Sequence, residues 1–195
     1  MVCNSRNAPG LRIMATHRVS IIDGVRVSQF KSTSDIRGTF IKLHPLSELK
    51  NSLDSVAISF NPEPGTVRGL HFQVEPFAEE KLISCLQGSV FDVIVDIRPN
   101  SQTFGKWTSF DLSAENALQI FLPKGVAHGF QTLTHNSVMH YGLSTSYSVE
   151  ASYTIDPFGD LNIDWPMKVG SISEKDSGGV SLEYAAQKYA DSLNG

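Results

Sequence analysis

Long apolar runs are missing from this chain. No stretch approaches the roughly 20 residues that a helix needs to cross a bilayer. The first fifteen residues, with their Asn, Arg, Pro and Gly, lack the apolar segment of a secretory signal. No membrane partner is expected, and the chain reads as cytoplasmic. Cysteine is scarce as well. Cys3 and Cys85 are the two present, one in a polar leader and one in an expected strand. They make no disulfide framework, which suits a reducing compartment. An excess of basic charge is also absent: 16 Lys and Arg stand against 20 Asp and Glu, a net charge of −4. That argues against a nucleic-acid partner while leaving room for a local basic pocket. There is no βαβ alternation, no Gly-rich phosphate loop, no low-complexity tract and no interdomain linker.

What is present is one domain's worth of apolar side chains, 41% of 195 residues. Residues 1–15 read as a flexible leader and residues 16–195 as a single domain. Val19–Ile22 and Val25–Val27 read as two short strands around an Asp23-Gly24 turn. Ser34–Phe40 is a turn leading into a strand over Phe40–Leu43, and Ser47–Leu53 reads as a short helix capped by Ser47. Strands follow over Val56–Phe60, Lys81–Leu86, Val90–Arg98, Trp107–Leu112, Leu118–Leu122, Gly129–Leu133 and Val138–Leu143. In Val90–Arg98 the residues Phe91, Val93, Val95 and Ile97 share one face, and Asp92, Asp96 and Arg98 the other. Many short strands with Gly and Pro between them indicate an all-β sandwich or barrel. Ser181–Leu193 has the spacing of a short amphipathic C-terminal helix.

The chemistry concentrates around Arg68-Gly69-Leu70-His71-Phe72-Gln73, which follows the turn residues Asn61–Gly65 and precedes Lys81. A fixed cation, a titratable imidazole and a second cation lie close together on expected strand edges. That set suits an anionic ligand and proton transfer. Other motifs accompany it in order: Asp35–Phe40, Gly65–Gln73, Glu80-Lys81-Leu82, Phe91–Arg98, Ser101–Gly105, Leu112–Asn116, Pro123–Phe130, Tyr141 with Tyr147, and Asn162–Pro166. Over about Gly24 to Asp176 this series resembles the nucleotide-sugar 3,5-epimerase family, the dTDP-4-dehydrorhamnose 3,5-epimerase type. The resemblance implies a cupin-like jelly roll with short peripheral helices, and a reaction without a cofactor or metal. The substrate it implies is a nucleoside-diphosphate 4-keto-6-deoxyhexose, epimerised at C3, C5 or both through an enolate in rhamnose-type deoxysugar biosynthesis.

Such a reaction needs a base, a cation for the oxyanion and an acid across the ring. By resemblance His71 is the base, oriented by Asp176 in Glu174-Lys175-Asp176. Lys81 is the oxyanion partner. Tyr141 is the acid, its proton affinity expected to be lowered by nearby cations. Arg68 grips the diphosphate. His128 contacts the sugar or supports Lys81, Tyr147 packs on the ligand, and Gln73 belongs to the same binding motif. Arg37 and Phe40 match an arm that reaches the nucleotide, often from a partner subunit, so a homodimer is expected. Four positions depart from the family pattern: Lys42 stands for a Glu, Glu80 for a Gly and Gly142 for a Lys, while Ser59-Phe60-Asn61 lies near the place of Gln-Asp-Asn. Thymidine is therefore only the default base.

Three rivals share some of these features. A metal-dependent cupin would want a His-X-His pair, and Phe72 and Gln73 follow His71 instead, leaving His128 and Glu75 as a poor ligand set. A nucleotide-sugar 3,4-ketoisomerase would move the carbonyl. A non-catalytic nucleotide-sugar-binding cupin would have no need of His71, Lys81 and Tyr141 together.

Overall fold

Strand-forming runs and the turns between them build thirteen strands and two short helices among the described residues of the computed structural model, which are 16–30, 32–43 and 53–194. The strands are β1 (Thr16–Val19), β2 (Arg26–Gln29), β3 (Ser32–Asp35), β4 (Gly38–Ile41), β5 (Ser55–Asn61), β6 (Val67–Gln73), β7 (Lys81–Gln87), β8 (Ser89–Asp96), β9 (Trp107–Ser113), β10 (Leu118–Leu122), β11 (Val126–Thr132), β12 (Ser137–Leu143) and β13 (Ser152–Thr154). The helices are α1 (Glu174–Ser177) and α2 (Leu182–Ser192).

Two antiparallel sheets face each other. One has the order β1-β2-β10-β7-β12-β5, the other β13-β6-β11-β8-β9. This is the jelly roll that the resemblance implies. Ile83, Ile120 and Met139 from the first sheet meet Val90, Ile94 and Phe130 from the second, each at most 1% exposed. Each such side chain contributes roughly 1.5–3 kcal/mol by leaving water. The second sheet buries its outer face too. Leu70, Phe72, Val93, Val95 and Ala127 pack under Ile155, Leu161, Ala185 and Tyr189 of the C-terminal segment. Helix α2 is capped by Ser181, whose side chain accepts from the Tyr184 amide. Among the described residues no helix is long and apolar enough to cross a membrane.

The details refine several sequence expectations. The Asp23-Gly24 turn is flanked by strands that stop short of it, because Ile22 and Val25 turn into the barrel core instead. The alternation in β8 is real, but its polar face is not a wet one: Asp92 and Asp96 are fully buried beside Val90 and Ile94. Strand β11 begins at Val126 rather than Gly129, since Val126–Thr132 pair without interruption with β8. That extension carries His128 into the sheet. The expected helix over Ser47–Leu53, but for Leu53 itself, and the leader over 1–15 lie outside the described residues.

Two features leave the barrel. Strands β3 and β4 form a separate hairpin, with Ile36 and Phe40 exposed at its tip and side. Strand β5 is the edge of the first sheet, and Val56, Ile58 and Phe60 on its outer face are 55%, 50% and 72% exposed.

Candidate active site

The Arg68–Gln73 stretch becomes strand β6, and one irregularity in it shapes the site. Between His71 and Arg68 the strand advances three residues while its neighbour β11 advances two, from His128 to Phe130. The extra residue is a bulge, and Gly69 in it has φ +104°, a conformation that side chains resist. In a regular strand, positions 68 and 71 would point to opposite faces. The bulge lets both line one cavity. The seam is tight. A Cβ on Gly69 would meet Gly129 Cα and His128 O at 2.6 Å, and a Cβ on Gly129 would meet Arg68 O at 2.5 Å.

The cavity, of about 400 Å³, opens between the two sheets. Its walls include Arg68, His71 and Gln73 from β6, Lys81 from β7, His128 from β11 and Tyr141 from β12, with Tyr147 and Lys175 also contributing. Among the described residues, the structure thus brings together seven of the ten residues singled out from sequence, and seats an eighth, Asp176, behind His71. Arg37 and Phe40 are the two that stay away. They sit on the β3–β4 hairpin, where Arg37 is paired with Asp35 of its own strand pair.

His71 and His128 are directly opposed partners across β6 and β11. Each donates Nε2–H to a carboxylate, His71 to Asp176 Oδ1 at 2.7 Å and His128 to Asp92 Oδ2 at 2.6 Å. The two settings differ. The His71 ring keeps 37% of its surface open, whereas His128 and Asp92 are closed off. Burial in the cavity wall nevertheless pushes the His71 proton affinity down, against the pull of Asp176. Asp176 is brought by α1, whose cap Ser173 accepts from the Asp176 amide. Its second oxygen accepts from the Gly69 amide at 3.1 Å. Burial alone would raise this carboxyl, but its bonds with His71, Gly69 and Ser173 hold it below the ordinary range. Asp92 goes the other way. Burial raises it despite His128, and its Oδ1 has no hydrogen-bond partner among the described residues.

Lys81 is 7% exposed, and its ammonium donates to Glu79 Oε1 at 3.1 Å and to the His71 carbonyl at 3.3 Å. Tyr141 stands on the opposite sheet, edge-on to His128 with ring centroids 6.2 Å apart, and its hydroxyl lies 3.3 Å from Ser59 Oγ. The expectation that cations lower its proton affinity is corrected here. Burial dominates and raises the phenol above its ordinary value. Arg68 donates Nε–H to Asn61 Oδ1 at 2.9 Å and exposes its guanidinium to the cavity. Gln73 is fully engaged, donating to Phe77 O and accepting from the Ser148 amide. It shapes the floor by holding the loop after β12. Tyr147 is 63% exposed at the rim, with the Lys175 ammonium 3.2 Å from its hydroxyl. Glu75 pairs with Lys124 rather than with His128. Among the described residues no three His, Cys, Asp or Glu side chains gather as a metal site would need.

Sequence reasoning missed Asp92 and Glu79 as members of the site, and met Ser59 and Asn61 only as a departure from the family pattern. For Asp92 a signal existed: an acid between Phe91 and Val93 in a strand apolar on both sides has to find a buried partner.

The family model for dTDP-4-dehydrorhamnose 3,5-epimerase matches residues 20–183. A relative of that name from Sinorhizobium fredii is 40% identical over 167 residues, covering 81% of this chain and 85% of its own. The crystal structure of the Bacillus anthracis dTDP-4-dehydrorhamnose 3,5-epimerase with TDP and pyrophosphate bound superposes with TM-score 0.81 at 33% identity, over 86% of this chain and 99% of that one. The Legionella pneumophila dTDP-6-deoxy-D-glucose-3,5-epimerase, in complex with dTDP-4-keto-L-rhamnose, gives TM-score 0.81 at 33% identity, over 87% and 93%. The chain belongs to the dTDP-4-dehydrorhamnose 3,5-epimerase family of isomerases.

Proposed function

We propose that this enzyme epimerises dTDP-4-keto-6-deoxy-D-glucose at C3 and C5, through an enolate, in deoxysugar biosynthesis. One observation carries the reading: an oriented imidazole on one wall of the cavity and a protonated phenol on the other. With Nε2–H committed to Asp176, the lone pair of His71 is on Nδ1. That nitrogen takes the proton from the carbon next to the ketone. The C–H electron pair moves into the ring, and the C4 oxygen gains the negative charge. The Lys81 ammonium, itself buried in the wall, stabilises that charge. Asp176 stabilises the imidazolium that forms. Tyr141 then delivers its proton to the opposite face of the enolate carbon. A phenol raised by burial keeps its proton until the enolate is there to take it. Arg68 holds the diphosphate, Tyr147 packs on the ligand at the rim, and His128 meets the sugar beside His71.

Arg37 and Phe40 do not line their own cavity, which supports a homodimer in which each hairpin reaches the partner's nucleotide. The exposed strip Val56, Ile58 and Phe60 on an open sheet edge supplies a face for it. An unbridged, buried Cys85 fits a cytoplasmic enzyme.

The test is proton NMR in heavy water with dTDP-4-keto-6-deoxy-D-glucose, following the H3 and H5 signals. Loss of both is expected. Loss of one alone makes the enzyme monofunctional, and retention of both with tight binding makes it a binder.

A further inference from the structure

Glu79 is the one carboxylate on the cavity wall among the described residues. A free negative charge there would repel a diphosphate-bearing ligand, so its position needs a reason. Glu79 lies two residues before Lys81, just ahead of β7, and its carboxylate turns to the Lys81 ammonium. Both side chains are removed from water, 10% and 9% exposed, with the ammonium 3.1 Å from Glu79 Oε1. The other groups that face this region are cationic or already engaged. Arg68 and His71 come from β6, His128 from β11 and Lys175 from α1. Asp176 and Asp92 are spent on the two histidines. Tyr141 on β12 is an un-ionised phenol. Without Glu79, the Lys81 ammonium would lie in a desolvated wall among like charges, with the His71 carbonyl as its remaining partner.

We propose that Glu79 is a positioning residue for Lys81, fixing the ammonium at the cavity wall where the enolate oxygen forms. The inference rests on the reading of Lys81 as the oxyanion partner. It makes Glu79 a brake on binding and a support for turnover, so the two kinetic constants should separate.

The experiment compares kcat and KM in the full-length enzyme and its Glu79→Gln, Glu79→Asp and Lys81→Ala variants, with thermal melts alongside. In Glu79→Gln kcat should fall by roughly 10–10²-fold, because the ammonium loses the group that holds it in place. KM should stay level or drop. Glu79→Asp keeps the charge with a shorter reach, so it should recover part of the lost kcat. An unchanged kcat in Glu79→Gln, with Lys81→Ala inactive, overturns the proposal and leaves the role of Lys81 standing. Near-normal turnover in Lys81→Ala overturns both.

Discussion

Two histidine–carboxylate pairs face each other across one strand pairing, and they are built for different work. The chemical inventory is the same and the hydrogen bonds are nearly equal, 2.7 and 2.6 Å. The surroundings are opposite. Asp176 comes from a short helix, takes a backbone amide as well as the imidazole, and is held ionised. Asp92 lies in the barrel core with one oxygen unmatched among the described residues, and burial favours its protonated form. His71 is open to the cavity, and His128 shows it only a sliver of its ring. A proton-transfer base needs an ionised partner and a path to substrate, and the first pair alone has both. The second pair is better suited to fixing a ring in place than to moving protons.

Replacing each histidine in turn is the most direct way to break that comparison. His71→Ala should lower kcat by ~10²–10⁴-fold, the usual worth of a general base, and His128→Asn should lose at least tenfold less; steady-state rates that fall equally would abolish the distinction. Tyr141→Phe should come next. Epimerisation should fall by about 10²-fold or more, yet the substrate should still wash in deuterium, since His71 still removes the proton; NMR in heavy water reads both. Asp176→Asn should also cost turnover, by a smaller factor of roughly 10–10², and it sharpens the pH argument. Burial already places the His71 proton affinity below its ordinary value, so activity should persist below pH ~6.5 and vanish as pH falls further and the ring protonates. Removing Asp176 takes away the group that opposes burial, so the acidic limb of kcat/KM should move lower still. The smallest effect belongs to Asp92→Asn. A carboxyl whose folded proton affinity is raised loses stability as pH rises through that raised range from its unfolded value. Asn cannot ionise and still accepts from His128. The melting temperature of the variant relative to the parent should therefore climb from pH 4 to pH 8, and a flat difference would mean that Asp92 is not strained by its charge.

Much of this was legible in the chain because strands and turns leave local marks. The runs over Val56–Phe60, Trp107–Leu112, Leu118–Leu122 and Val138–Leu143 all became strands, and Leu182–Ser192 became the helix that its spacing predicts. The site residues were reached through motif order rather than periodicity, which cannot tell that Tyr141 and His71 face each other from different sheets. Partnerships were harder to read. Nothing local in Phe91-Asp92-Val93 names His128, because strands 36 residues apart meet through sheet register. Helix α1 is four residues long, too short for a 3.6-residue period to emerge. The lowered phenol expected of Tyr141 failed for a related reason: charges can be counted in a sequence, but the depth of a wall cannot.

The glycine seam between the two histidines sets a limit on how this scaffold can change over generations. Gly69 and Gly129 each lie against the other strand's backbone, within 2.6 Å of where a methyl would sit. Any larger residue at either position would force β6 and β11 apart and separate the two histidines, whatever sugar was bound. Tyr147 and the β3–β4 hairpin, by contrast, are exposed and answer to few neighbours. Single substitutions can accumulate there, while the seam is closed to any stepwise route.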